Sequence, residues 1–553
     1  MGQPSTFQRA AMLDDLRSAD QFDVVIVGGG ITGAGVALDA ATRGLRTALV
    51  ERDDFAAGTS SKSSKLVHGG LRYLQQGDVR LVYEALRERY RLRRNAAHLV
   101  RILPFMIPIL TKDSVVSRRI ARALGTAMWM YDLTGGFRIG KFHKRLSADQ
   151  AFEHMPTARL DRLTSAYLYF DATADDARLT LDIAKTAAAH GATVLNRCEV
   201  VGFTTGSNGV RVRDGVGGEE FDVHAGVIVN AAGVWSDEVR ALHDGQHAGT
   251  LRPAKGVHIT VPWQKVRNDV AVVIPVPGDK RSLFVVPWGE LPDGTFRHCY
   301  IGTTDTEYSG PIDDPQCSAD DVEYILAAIN AALDRNVTEP ITVDDITATW
   351  AGLRPLVAAA TSERTADLSR RHVVSTSDDG VVGVTGGKLT TYREMAEDTV
   401  DVVMKRLGRS GRCRTKRLAL VGSDGAVPTS EPGTPMAHLV ERFGSRAPDV
   451  AALADADPGM LDPLVPGLPY LRAEAVYGVR HEMATTLIDV MTRRTRAHLL
   501  DRRAARSVAA SVAALVADDA GWDRAEVDCQ VVAYEALCDL EESANRAVGV
   551  TGR

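Results

Sequence analysis

Gly28, Gly30 and Gly33 fall in the spacing G-x-G-x-x-G, and Glu51 lies 23 residues beyond the first of them. These residue types at this spacing suit a bound dinucleotide. The first glycine permits a tight turn, the second lets a pyrophosphate approach the backbone, and the third lets a helix pack closely on a strand. A carboxylate at Glu51 suits the hydroxyls of an adenosine ribose and disfavours a 2′-phosphate, which argues against NADP. The motif does not separate NAD from FAD, and a βαβ unit with no ligand carries the same glycines.

Such residues act only if a strand precedes them, a helix follows and a second strand ends at Glu51. Asp23 to Val27 reads as a short buried strand, the Ala-rich stretch after Gly30 as a helix, and Thr47 to Val50 as the second strand. The helix N-terminus then offers free N–H groups and a positive dipole end to phosphates. Asp53 to Leu74 is rich in Ser, Gly and Lys with no apolar period, so it reads as a loop. Its HGGLRY end pairs two glycines, which allow close backbone approach, with Arg72 and Tyr73 beside them. A flexible surface loop is the plainer reading of the same residues.

Further along, Val82 to Val100 reads as an arginine-rich helix with a solvated face, Glu84 and Glu88 standing by as partners. A helix from Asp175 stops at Gly191 before a strand, and Val227 to Asn230 is a buried strand turning at Ala231, Ala232 and Gly233. Leu251 to Val261 and Arg281 to Glu290 alternate apolar and polar residues, as half-buried strands of an antiparallel sheet do. Gly422 to Pro435 is a Gly, Pro and Ser linker. Beyond it Val476, Val479, Met483, Leu487 and Val490 make one helical face for core packing.

The 553 residues suffice for two or three domains. A net charge of −6 argues against a nucleic-acid partner. Six cysteines without metal-type spacing read as reduced, mostly buried thiols of a cytoplasmic chain. The polar stretch before Gly28 is not expected to be a signal peptide, and Leu99 to Leu110 is too short and too interrupted to span a bilayer. Ser114 to Leu146 mixes Arg118, Arg119 and Arg122 with Met128, Trp129 and Met130, as an interfacial helix does; burial against the protein's own core explains the apolar face equally well.

The run TSSKSSKLVHGGLRYLQQGDVRLVYEAL resembles the signature of FAD-dependent glycerol-3-phosphate dehydrogenases, and the likeness continues through nearly all of the chain. KGVHITV, IGTTD, the G-x-R-P-L of TWAGLRPLV, GGKLTTYR and EAVYGVRHEMATTLIDVMTRRTR each resemble a segment of that family. The resemblance implies an α/β fold: a Rossmann-type FAD-binding domain with an inserted antiparallel-sheet substrate domain and a C-terminal all-α cap. Residues 20–98, 175–250 and 345–405 would form the discontinuous FAD-binding domain and 99–174 with 251–344 the substrate-binding domain. Residues 422–435 would be the linker and 436–553 the cap.

For FAD the resemblance adds Thr59, Ser60, Ser64, Lys65, His68 and Gly69 to Gly28, Gly30, Gly33 and Glu51. Ala232, Gly233, Gly387, Lys388, Leu389 and Thr390 complete the set. Arg72, Tyr73, Arg354, Arg370 and Lys388 would face the substrate, with Arg371 the alternative to Arg370. Cations of this kind suit a phosphate. The implied reaction is oxidation of sn-glycerol 3-phosphate by hydride transfer to FAD, with His258, Arg354 and Lys388 as catalytic residues. His258 would accept the C2 hydroxyl proton, or an arginine-assisted or water-mediated base would do so in its place. The implied acceptor is a membrane quinone, reached by peripheral contact with the inner face of the cell membrane, and a homodimer is the family's expectation. No metal is implied, and without an EF-hand loop calcium regulation is not expected. Other readings of the same residues are a glycerol-3-phosphate oxidase using oxygen, a flavin amine or amino-acid oxidase, and a FAD-binding regulatory protein without turnover.

Overall fold

The computed structural model describes residues 7–70, 79–110, 128–129, 131, 140–245, 249–279, 281–357 and 372–546. Arg72, Tyr73, Arg370 and Arg371 lie outside these residues, as does most of the stretch proposed as an interfacial helix.

Two sheets carry the molecule. The first runs in the order Val382–Thr385, Glu220–Asn230, Phe22–Val27, Thr47–Val50 and Thr193–Leu195, every neighbouring pair parallel, with Val373–Thr376 added antiparallel at one edge. Its strands are apolar without alternation because both faces are covered, and Val24, Val25 and Ile26 are fully buried. The covering helices include Ile31–Thr42, Asp176–Ala189 and Tyr392–Arg406. Ile31–Thr42 is built from small residues and packs so tightly that a Cβ on Gly35 would stand 2.7 Å from the Tyr392 ring. This is the expected Rossmann-type sheet, assembled from segments far apart in sequence.

The second sheet has ten strands and is antiparallel save one pairing, Ala271–Pro275 alongside Arg101–Leu110. Leu66–Val67 and Ala348–Val357, expected with the nucleotide-binding part, pair within this sheet. The second lies against Leu251–Pro262 from end to end, so the G-x-R-P-L segment is a strand of this second sheet. Leu251–Pro262 is also more deeply placed than alternation suggested: Ala254 to Val261 are all buried. Val257, Ile259 and Val261 share a core with Ile325 and Ile329 of the helix Ala319–Ala332. On the other face His258 meets Ser64, and the Thr260 hydroxyl donates to the Leu499 carbonyl.

The arginine-rich helix Val79–Asn95 departs from the expected solvated face. Arg89 is buried against Asp171, and Glu88 receives Arg393 from the helix Tyr392–Arg406. Periodicity had no access to these partners, which come from other strands and helices.

The C-terminal part is helical. Its expected continuous stripe is broken: the helix Arg472–Glu482 ends at Met483, whose φ is +56°, and a single turn with i→i+5 bonding, Val490–Arg494, follows. That turn drives two arginines against the loop that follows the strand Thr47–Val50. Arg494 forks onto Asp54 at 2.7 and 2.8 Å, and Arg493 reaches the same carboxylate at 2.7 Å. Burial opposes the Asp54 charge, yet the two guanidiniums hold it below the ordinary carboxylate value. Among the described residues no helix is long and apolar enough to cross a membrane.

Candidate functional site: a glycine-lined groove and a buried histidine

A groove opens where the first strand ends. Gly28, with φ +111°, lies so near the returning strand that a Cβ would stand 2.7 Å from the Ala231 carbonyl. A Cβ on Gly33 would fall 1.9 Å from the Gly28 carbonyl, so the helix sits directly on the turn. Gly30 caps that helix, and Ser60 Oγ accepts from the Ile31 N–H at 2.9 Å. Glu51 ends the second strand and accepts from the backbone N–H groups of Gly29 and Asp53. Burial raises its pKa to about 7 despite those two bonds.

Thr59, Ser60, Ala232, Gly233, Gly387, Lys388 and Leu389 line the same groove with Gly28, Gly30 and Glu51. The remaining residues expected at the cofactor do not line this groove. Gly33 supports the turn, the backbone N–H of His68 donates to Thr390 Oγ1, and that of Gly69 donates to Asp171 and Tyr131. Ser64 faces His258. Lys65, at φ +57°, directs its ammonium to Asp176 and the Ser61 carbonyl. Sequence reasoning missed Arg52 and Trp235, which line the groove with Arg52 stacked 5.1 Å over the Trp235 ring and Asp313 accepting from both. Their partner comes from a loop of the other sheet, so no local pattern marked them.

Arg354 sits one residue before Pro355, which lines the groove. Its guanidinium donates to Asp305 Oδ1 and Thr303 Oγ1, both at 3.1 Å, and to the Thr304 carbonyl at 3.2 Å. The IGTTD segment thus orients Arg354. His258 is buried, its ring stacked on Trp350 at 4.8 Å and 11°. Its Nε2 is 2.8 Å from Ser64 Oγ, and Nδ1 has no hydrogen-bond partner among the described residues. Burial, with Lys65 and Arg354 nearby, holds its pKa well below the ordinary histidine value, so the ring is neutral.

A parallel sheet with a glycine turn at a helix N-terminus, a carboxylate at the next strand end and a second sheet beside the groove define a dinucleotide-binding protein. The family model for FAD dependent oxidoreductases matches residues 23–393, and that for the C-terminal domain of alpha-glycerophosphate oxidase matches 413–527. Glycerol-3-phosphate dehydrogenase 2 of Mycobacterium tuberculosis is 39% identical over 94% of this chain and 89% of its own length. The human mitochondrial glycerol-3-phosphate dehydrogenase is 37% identical over 93% of this chain and 73% of its own length. The solved glycerol-3-phosphate dehydrogenase of Bacillus halodurans, complexed with FAD, superposes with a TM-score of 0.77 at 29% identity, covering 99% of this chain and 100% of that one. The chain belongs to the FAD-dependent glycerol-3-phosphate dehydrogenase family.

The groove fits FAD on its own terms: the close-packed glycines leave no side chain over the helix end, and the half-buried Glu51 carboxylate lines the groove where ribose hydroxyls could donate to it. A pH dependence follows. Above about pH 7 Glu51 is ionised and would accept from ribose hydroxyls; below it the carboxyl would carry a proton that weakens it as an acceptor. FAD affinity of the apoprotein is therefore expected to fall by up to about tenfold per pH unit below 7. Quenching of flavin fluorescence between pH 5.5 and 8 reads this, and Glu51→Gln should bind more weakly with a flat profile.

Proposed function

We propose that this chain oxidises sn-glycerol 3-phosphate to dihydroxyacetone phosphate and delivers the electrons to a membrane quinone. The observation that carries the reading is the placement of Arg354, one residue from the groove that Lys388 lines, with the buried His258 on the strand paired to its own. Bound FAD supplies the acceptor for the hydride leaving C2. Arg354, held in one orientation by Asp305 and Thr303, and Lys388 bind the phosphate through charge-assisted hydrogen bonds. His258 takes the C2 hydroxyl proton at Nδ1 as the carbonyl forms, its Nε2 occupied by Ser64. Arg72, Tyr73 and Arg370 are proposed to complete the substrate contacts. The names of the relatives support the substrate.

Contact with a membrane is supported by Trp129 and Phe142, large apolar side chains that are 57% and 46% exposed. A second reading, oxygen as acceptor, is favoured by the match of residues 413–527 to a domain described from an oxidase. The test is anaerobic titration of the FAD-loaded protein with sn-glycerol 3-phosphate, followed by mixing with a quinone or with oxygen. Bleaching by this substrate and not by amino acids, with rapid recovery on quinone alone, is the expected result. Bleaching by amino acids would overturn the substrate, and rapid recovery on oxygen would overturn the acceptor.

A further inference from the structure

The loop after Glu51 is gripped from behind by the C-terminal part of the chain. Arg496 Nη2 donates to the Ser61 carbonyl and to Asp176 Oδ1, both at 2.6 Å. Asp176 Oδ2 accepts from the Ser63 backbone N–H at 3.0 Å and the Ser63 hydroxyl at 2.7 Å. Lys65 Nζ adds bonds of 3.0 Å to Asp176 and 3.3 Å to the Ser61 carbonyl, and stands 5.0 Å over the Trp350 ring. Trp350 Nε1 donates to the Ser63 carbonyl, and the Tyr300 hydroxyl donates to that of Ser64. Ser64 is thereby held on both sides, and its hydroxyl faces His258 Nε2.

This is an expensive way to fix a loop. Arg496 and Asp176 are 1% and 0% exposed at the side chain and Lys65 is 4%, so two cations share one carboxylate away from water. Burial and the neighbouring Arg496 lower the Lys65 pKa to about 8, against the pull of Asp176. Apolar side chains of the same volume are often no less stabilising than a buried ionic group, so packing alone does not account for the cluster. Its bonds grip Ser61, Ser63 and the Ser64 backbone, and the Ser64 hydroxyl that this backbone carries meets His258 Nε2.

We propose that Arg496 is a positioning residue for proton transfer at His258: by anchoring Asp176 it locks Ser63 and Lys65, and so fixes the Ser64 hydroxyl against His258 Nε2. This inference rests on the reading of His258 as the proton acceptor. With Ser64 Oγ accepting from Nε2–H, the lone pair resides on Nδ1, as a proton acceptor requires; a drifting Ser64 lets the ring take the other tautomer. The charged and titratable groups facing the ring are Lys65 from the loop, Arg354 from the strand Ala348–Val357 and Tyr300 from the strand Phe296–Gly302. Both cations disfavour a protonated ring. Removing Arg496 draws Lys65 toward Asp176 and admits water, so the pKa of His258 moves back up toward its ordinary value.

The test is single-turnover anaerobic flavin reduction by sn-glycerol 3-phosphate between pH 5 and 8.5, on full-length FAD-loaded protein, for wild type, Arg496→Met, Arg496→Lys and His258→Asn. Arg496→Met is expected to slow reduction by about 10- to 100-fold, with its acid limb moved up toward pH 6.5. Arg496→Lys should recover part of the rate and part of the profile, and His258→Asn should lack the limb. A slowed Arg496→Met with an unmoved limb, beside a His258→Asn that lacks it, would overturn the positioning role and leave the His258 reading standing. A limb that survives in His258→Asn would remove that reading, and this inference with it. Should Arg496→Met fail to retain flavin, Arg496→Lys and Asp176→Asn make the same comparison.

Discussion

Flavin reduction by sn-glycerol 3-phosphate is expected to slow by roughly 10²- to 10⁴-fold in His258→Asn, the range over which a general base acts, while bound FAD is retained. Asparagine keeps a polar group of similar size for Ser64 but has no lone pair of comparable basicity. The wild-type pH profile carries the sign: burial and two cations lower the pKa of His258, so the ring stays an acceptor well below pH 6.5 and the rate declines only at still lower pH. Stopped-flow absorbance of the flavin measures both the rate and the profile. Full speed in His258→Asn would move the base elsewhere, to a water or an arginine-assisted group.

Gly33→Val is expected to yield protein without flavin. The first methyl-bearing carbon would stand 1.9 Å from the Gly28 carbonyl, where the neighbour is backbone and cannot rotate away. The helix must lift from the turn, which opens the floor of the groove and separates Gly28 from Ala231. A loss of at least about 100-fold in FAD affinity, corresponding to about 2.7 kcal/mol, is the expected scale. The flavin-to-protein absorbance ratio after purification, and FAD titration of the resulting apoprotein, report it. Retention of a full complement of flavin would show that the helix can shift at little cost.

The glycine turn, its flanking strands and Glu51 were legible because a dinucleotide site of this type is local: one βαβ unit holds all of its parts. Residues that line the groove from the returning strand and from Gly387 to Leu389 were legible through their resemblance to the family. Lys65 shows where that reasoning stops. Lys65 was expected among the cofactor residues; the structure adds that its side chain, on a backbone of positive φ, bonds Asp176, 111 residues away in sequence. Arg89 was read as solvated because its partner Asp171 is on a distant strand, and Arg496 reaches Asp176 across 320 residues. The break at Met483 carried no glycine or proline to announce it. Buried ionic contacts between distant segments leave no periodic trace, and those contacts join the C-terminal helices to the site.

The order in which the segments of the groove occur along the chain bears on how the enzyme is made. The first strand and its glycine turn leave the ribosome early, yet the strand Val382–Thr385 completes the parallel sheet only near residue 385, and Arg494 and Arg496 reach Asp54 and Asp176 later still. Until then the nascent chain exposes apolar strand edges and buried carboxylates without counter-charges, a condition that favours chaperone capture and aggregation over early cofactor loading. Flavin uptake is therefore expected only after the groove-lining stretch Gly386 to Leu389 has been made.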